Sequence, residues 1–316
     1  MHLEKMNALS TEDPLPRGAP CAPASRPGGE ATDLRRAMVW RILTAFTRLT
    51  WKRSVLLWIR FVANPPLSLA WWRWLARFAA SHGYPLPHDD LMQKPLTKFL
   101  VHRLKGWQRL GLLTGHFSIA ATILSRDTMV RLWQGERLSM GEVRGRSGAY
   151  ECQLMLADQC GGRHEGAFAI RLVRSLDGAT LCKARFTFVH EDAGQVFTFV
   201  VGSLQGVRNA RQTIVDATRD LHGLRPKEAV LLVLQGLAAE GRARHFYAVS
   251  SARHPIRYRR PKRQFMLLTD VDGFWLERSG EPDDAYGFVV PWSRIGGRDK
   301  RNASKARFMA LGEAFR

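Results

Sequence analysis

Residues 148–206 read GAYECQLMLADQCGGRHEGAFAIRLVRSLDGATLCKARFTFVHEDAGQVFTFVVGSLQG, and their period decides the fold. Four runs rich in β-forming residues stand out, Tyr150–Leu156, Ala167–Val173, Ala179–Val189 and Gln195–Gly202. Turn signals separate them: Gly161-Gly162, Asp177-Gly178 and Ala193-Gly194. Connections this short join antiparallel neighbours, because a parallel crossover needs roughly a dozen residues or more. The stretch therefore predicts an antiparallel meander of about four strands.

On the C-terminal side the period lengthens. Asn209–Leu221 and Lys227–Ala239 read as helices separated by Gly223-Leu224-Arg225-Pro226, with Pro226 near the N-terminal boundary of the second. That second helix is apolar nearly all round over Ala229–Leu234, which predicts burial. His245–Ser250 (HFYAVS) is a short apolar strand expected to return to the centre of the same sheet. On the N-terminal side, Leu96, Phe99, Leu100, Leu104 and Trp107 recur at helical spacing, so one or two helices with a core-facing side are expected between Leu91 and Ser125. The fold class is α+β, N-terminal helices followed by a mainly antiparallel sheet with packed helices.

Residues 1–32 are rich in Pro, Gly and Ala and read as a disordered tail, while 33–110 form a basic, Trp-rich helical region and 111–316 an α+β domain. From Leu34 to His88 there is no Asp or Glu, yet Arg35, Arg36, Arg41, Arg48, Lys52, Arg53, Arg60, Arg73 and Arg77 supply nine fixed positive charges. The same stretch holds Trp40, Trp51, Trp58, Trp71, Trp72 and Trp74, six of the ten tryptophans. Two readings fit: a helical hairpin packed on the domain with its arginines snorkelling outward, or a segment lying on an anionic membrane surface. A span is not expected, since the longest uncharged run, Phe61–Trp72, is about half the roughly 20 residues required and Pro65-Pro66 interrupts it.

The whole chain of 316 residues carries a formal charge of +20 and a hydrophobic fraction of 45%, which points to a globular protein with an anionic partner. Cys21, Cys152, Cys160 and Cys182 form no metal or disulfide pattern, so reduced thiols in a cytoplasm are expected. The first thirty residues lack a secretory pattern, which agrees with a cytoplasmic protein, peripheral at the inner membrane if the basic region meets lipid.

Several blocks resemble a known family. They are Tyr150, Glu165-Gly166, Gly202-Ser203-Leu204-Gln205-Gly206, Leu221-His222-Gly223-Leu224-Arg225-Pro226-Lys227, Ala248-Val249-Ser250 with His254, and Asp272-Gly273-Phe274-Trp275-Leu276-Glu277. In this order and spacing, over Leu112–Arg316, they look like the VirK/YbjX family of Gram-negative bacterial proteins. The resemblance implies association with virulence, with envelope remodelling and with antimicrobial-peptide resistance, and it carries over no catalytic residues. One departure is Val271-Asp272-Gly273 where many members have a Tyr-Asp pair.

Antiparallel strands, a loop with Gly and Gln, a buried helix and a returning strand also follow the order of the GNAT acyltransferase core, in which the helix N-terminus takes a coenzyme A pyrophosphate. The loop Gln205-Gly206-Val207-Arg208-Asn209-Ala210 lacks the second glycine of that cradle. A coenzyme A thioester is expected only under this alternative; no other cofactor, and no metal set, is indicated.

Candidate acid–base groups are Glu165, His222, His254 and Glu277. His222 equally suits a helix C-terminus, and the two glutamates equally suit structural pairing, opposite Arg185 or Arg225. Ligand-binding candidates are Gly202, Ser203, Gln205, Gly206, Arg225, Ser250, Arg253, Arg257, Arg259 and Arg260. Arg253, His254, Arg257, Arg259, Arg260, Lys262 and Arg263 fall within eleven residues and suit phosphate oxygens. An enzyme would place Gln205, Arg225, Ser250, His254 and Glu277 around one pocket. Nucleic acid is the weakest partner class, since no recognition motif accompanies the charge.

Overall fold

The structure, a computed structural model, describes residues 55, 58–59, 61–92, 94, 98–191, 196–207, 209–258 and 270–315, with backbone alone for 257 and 258. The expected tail 1–32, residues 33–54 of the basic region, and Arg259, Arg260, Lys262 and Arg263 lie outside the described residues.

Helix α1 (Pro65–His82) starts where Asn64 accepts a hydrogen bond from the Leu67 N–H at 3.3 Å, with prolines in its first turn where an N–H has no helical partner. It stops at Gly83, left-handed at φ 61°. Leu67, Trp71, Leu75, Phe78 and Ala79 lie on one buried face. The indole N–H groups of Trp71 and Trp72 donate to the Leu91 and Met92 carbonyls at 2.8 and 3.0 Å, tying α1 to α2 (Asp89–Met92). Arg73 and Arg77 are exposed on the opposite side. Within α1 the tryptophan side is packed and the arginines point outward, as the packed reading expects; a second helix of a hairpin within 33–54 lies outside the described residues.

The helical spacing at Phe99–Leu104 misleads. Phe99, Leu100 and Leu104 are buried, but Leu100 and Arg103 have φ of 54° and 70°, and Trp107 is 59% exposed. Tertiary hydrogen bonds displace helical ones there: Leu100 N–H donates to the His164 carbonyl at 2.8 Å and His102 N–H to the Arg253 carbonyl at 2.7 Å. Helix α3 (Gly106–Ile123) begins only after this crossing, and α4 (Arg126–Trp133) follows with Ser125 as its cap.

Among the described residues eight strands form one sheet: β1 (Leu138–Arg144), β2 (Ala149–Leu156), β3 (Phe168–Arg174), β4 (Thr180–His190), β5 (Phe197–Gly206), β6 (Phe246–Val249), β7 (Glu281–Pro282) and β8 (Gly287–Val289). Their order is β1-β2-β3-β4-β5-β6-β8-β7. The meander gains a strand over the expectation, because β1 pairs with β2 through a bulge at Met140, between Ser139 and Gly141, that breaks its alternation. β5 and β6 are parallel; every other pairing is antiparallel. The crossover between them carries α5 (Arg211–Asp220) and α6 (Pro226–Glu240), which requires the longer connection that a parallel pair needs. As its apolar run predicts, α6 is buried, and α8 (Lys300–Glu313) packs along it.

One hydrophobic cluster runs from Leu67 in α1 to Phe308 in α8. A smaller one, Met155, Ala157, Cys160 and Ala169, fills the space under the β2–β3 connection on the other side of the sheet. Cross-strand register puts Gln153, Arg171, Lys183 and Gln205 in one row on that side, and Ala169, Arg185 and Ser203 in the next. Among the described residues no helix is long and apolar enough to cross a membrane.

Candidate functional site

The site begins with a defect in strand pairing. Arg185 of β4 faces Ser203 of β5, but the next pair is Phe186 with Val201, so Gly202 bulges out of the ladder. A Cβ at Gly202 would lie 1.7 Å from the Glu165 carbonyl oxygen. Only glycine lets the β2–β3 connection cross the sheet at that point and bring the Glu165 side chain over the strands. β6 pairs with β5 only at Phe199, Val200 and Val201, so the two parallel strands fork beyond the bulge, and Gly202–Gly206 has no strand partner on that side among the described residues.

A buried polar cluster occupies the root of the fork. Arg185, 4% exposed, places NH1 3.2 Å from Glu165 Oε2, and donates to Gln205 Oε1 at 3.0 Å, Ser203 Oγ at 3.3 Å and the Cys160 carbonyl at 2.8 Å. Ser203 Oγ donates to Glu165 Oε2 at 2.6 Å, and His254 Nε2 lies 3.8 Å from Oε1 of the same carboxylate. The His254 Nδ1 accepts from the Ile256 N–H at 3.1 Å. A guanidinium taken out of water is tolerable only when oxygens surround it, and these residues provide them. Beside the cluster, the fully buried Lys94 Nζ contacts Asp158 at 2.5 Å and donates to the Gly166 carbonyl at 3.1 Å, bracing the β2–β3 connection. Burial also pushes the His164 imidazole down to about 4, so the connection is held by a neutral histidine whose Nδ1 sits 3.1 Å from the Lys98 carbonyl.

A cavity of about 480 Å³ opens where β5 ends. Gly206, Arg219, Arg225, Lys227, Phe274 and Glu277 are among its lining residues, from α5, the first turn of α6 and α7 (Val271–Leu276). Lys227 follows the N1 proline of α6, where free backbone N–H groups and the helix dipole favour an anion. Its Nζ lies 5.4 Å from the Phe274 ring centroid, and burial lowers its pKa below the ordinary lysine range, with Arg278 adding to the effect. Three cations thus face two carboxylates, Glu277 and Asp270, and Asp270 already accepts the Gly273 N–H as the cap of α7.

The structure separates residues that the single-pocket expectation had joined. Glu165, Ser203, Gln205 and His254 come together in the cluster; Gly206, Arg225 and Glu277 line the cavity; Gln205 and Gly206 are neighbours where the two meet. Ser250 lies elsewhere, against Gly287, its Oγ accepting from the Arg253 N–H at 3.3 Å. Arg253 is half-buried, and the Arg257 backbone belongs to a 3-10 turn, Pro255–Tyr258. His222 stands at φ 58° after α5, where its Nδ1 accepts from Arg146 Nε at 3.1 Å; it joins the β1–β2 turn, away from the cluster. Glu277 is exposed, 3.7 Å from Arg278. Arg219, Lys227 and Lys94 were not singled out by sequence, although a charge inside an otherwise apolar stretch, as at Arg185 among Phe and Val, is a usable signal. Among the described residues no group of His, Cys, Asp or Glu is arranged to hold a metal, and Cys152, Cys160 and Cys182 are free and buried.

Known proteins sharpen the assignment. The family model described as a protein of unknown function, DUF535, matches residues 48–303, and thus embraces α1, the sheet, the cluster and the cavity. The chain belongs to the DUF535 family, the VirK/YbjX-type proteins. The uncharacterized protein YbjX of Escherichia coli (strain K12) is 24% identical over 238 residues, covering 74% of this chain and 70% of that protein. No solved structure matches the chain. The family boundary reaches well before Leu112, where the sequence resemblance begins, in keeping with a core that already starts at Leu67.

Proposed function

We propose that this DUF535 protein binds a phosphorylated ligand in the cavity at the N-terminus of α6, and that an acyl thioester of coenzyme A type is the ligand the fork fits best. One observation carries the reading: the parallel strands β5 and β6 part at a bulge, and a cationic cavity lies at the open end. An unpaired strand edge suits an extended, amide-bearing arm, which pairs with it as an added strand would. Arg219, Arg225 and Lys227 suit the phosphates at the end of such an arm. Antiparallel meander, forked parallel pair and buried crossover helix follow the GNAT order, an analogy that adds support without supplying chemistry.

The test is calorimetry with acetyl-coenzyme A, a long-chain acyl-coenzyme A and free coenzyme A. Binding is expected, weakened about tenfold or more in Arg225→Ala and in Lys227→Ala, since each removes a charge-assisted contact. No heat from any of the three removes the reading. The broader expectation of an anionic partner includes membrane lipid, and the envelope association implied by the family resemblance fits an acceptor held near a membrane.

A further inference from the structure

We infer that the corner between the helix preceding α1 and the start of α3 docks on an anionic lipid bilayer. The inference is independent of the ligand reading. Val55, Trp58, Ile59 and Val62 are helical, spaced i, i+3, i+4 and i+7, and 47%, 55%, 58% and 65% exposed. That spacing puts them on one side of a helix, and the side is apolar where water would select polar residues. The stripe is held in place: Phe61 stacks on Trp72 with centroids 5.4 Å apart, and Trp58 meets Phe61 edge-on at 6.0 Å.

A second aromatic residue reaches the same corner from a different element. A Cβ at Gly106 would lie 2.9 Å from Leu67 Cδ2 and 3.9 Å from Asn64 Nδ2, so the start of α3 abuts the junction just beyond the stripe. The next residue is Trp107, 59% exposed. Arg103 and Lys105 are exposed immediately before Trp107, and Arg73 and Arg77 are exposed further along α1. Between residues 34 and 126 the only acids are Asp89 and Asp90.

Charge complementarity selects the occupant. Indole rings settle at the headgroup level, aliphatic tips enter the acyl boundary, and Arg and Lys pair with anionic headgroups. A nucleic acid would use the cations and rings and leave Val55, Ile59 and Val62 without a role. Because no helix among the described residues can span, the segment lies in the plane of the interface.

Flotation of the full chain with phosphatidylcholine vesicles, with and without phosphatidylglycerol, tests the inference. Recovery is expected with the anionic vesicles only and should fall with salt. Trp58→Ser with Trp107→Ser, and separately Arg103→Glu with Lys105→Glu, should each reduce partitioning about tenfold or more with the melting temperature unchanged. The inference is overturned by equal recovery on both vesicle types, by recovery on neither, as when residues 1–54 cover the stripe, or by either double variant floating like the parent.

Discussion

The arginines of α1 and the arginine of the fork carry the same charge and do opposite things. Arg73 and Arg77 stand in water on the far side of a helix whose tryptophans pack inward, and the core would be the same without them. Arg185 is turned inward, and four oxygen-bearing groups from Glu165, Ser203, Gln205 and Cys160 converge on it. A count of positive charge therefore separates neither region from the other. What separates them is their surroundings, protein oxygens for Arg185 and solvent for Arg73 and Arg77.

Substitution should expose this contrast most strongly at Arg185. Arg185→Ala leaves a part-buried carboxylate without its counter-ion and is expected to cost about 3–5 kcal/mol in urea unfolding. Restoring apolar packing with Arg185→Met and Glu165→Leu together should recover much of that loss. The next effect is on pH dependence. His164 drops from 6.5 to about 4 on folding, so the unfolded chain binds the extra proton. His164's contribution to stability is expected to be full above pH 6.5, to be lost between pH 6.5 and about 4, and to level off below that, a loss of about 3 kcal/mol in all. A His164→Gln variant should flatten that part of a melting-temperature profile. Gly202→Ala should cost about 2 kcal/mol, because the intruding methyl meets a backbone carbonyl that cannot rotate away. At the small end, Arg73→Ala with Arg77→Ala should change unfolding by less than about 0.5 kcal/mol. A large loss there would end the contrast.

The strands β2 to β5 were legible because runs rich in β-forming residues stand between clear turn signals. β1 was not, since the extra residue Met140 puts its buried positions out of phase. Residues 98–104 were misread for a different reason: their apolar spacing is helical, but carbonyls of His164 and Arg253 take the amide hydrogens. The same limit applies to the site. The expectation that Glu165 or Glu277 pairs with Arg185 or Arg225 holds for Glu165 and Arg185, which meet at 3.2 Å. That Ser203 and His254 join them, while Ser250, Arg225 and Glu277 do not, depends on a bulge and a fork that local patterns do not encode.

The single parallel pairing also orders the chain in time. Hairpins β1 through β5 close over short loops, whereas β6 reaches its place beside β5 only after the segment holding α5 and α6 has folded back. Loop-closure entropy makes such distant pairings slow relative to neighbouring ones. Nascent protein would accordingly possess most of its sheet before the cleft beyond the bulge exists, and the cavity proposed for the ligand would be completed only by the segments that dock late.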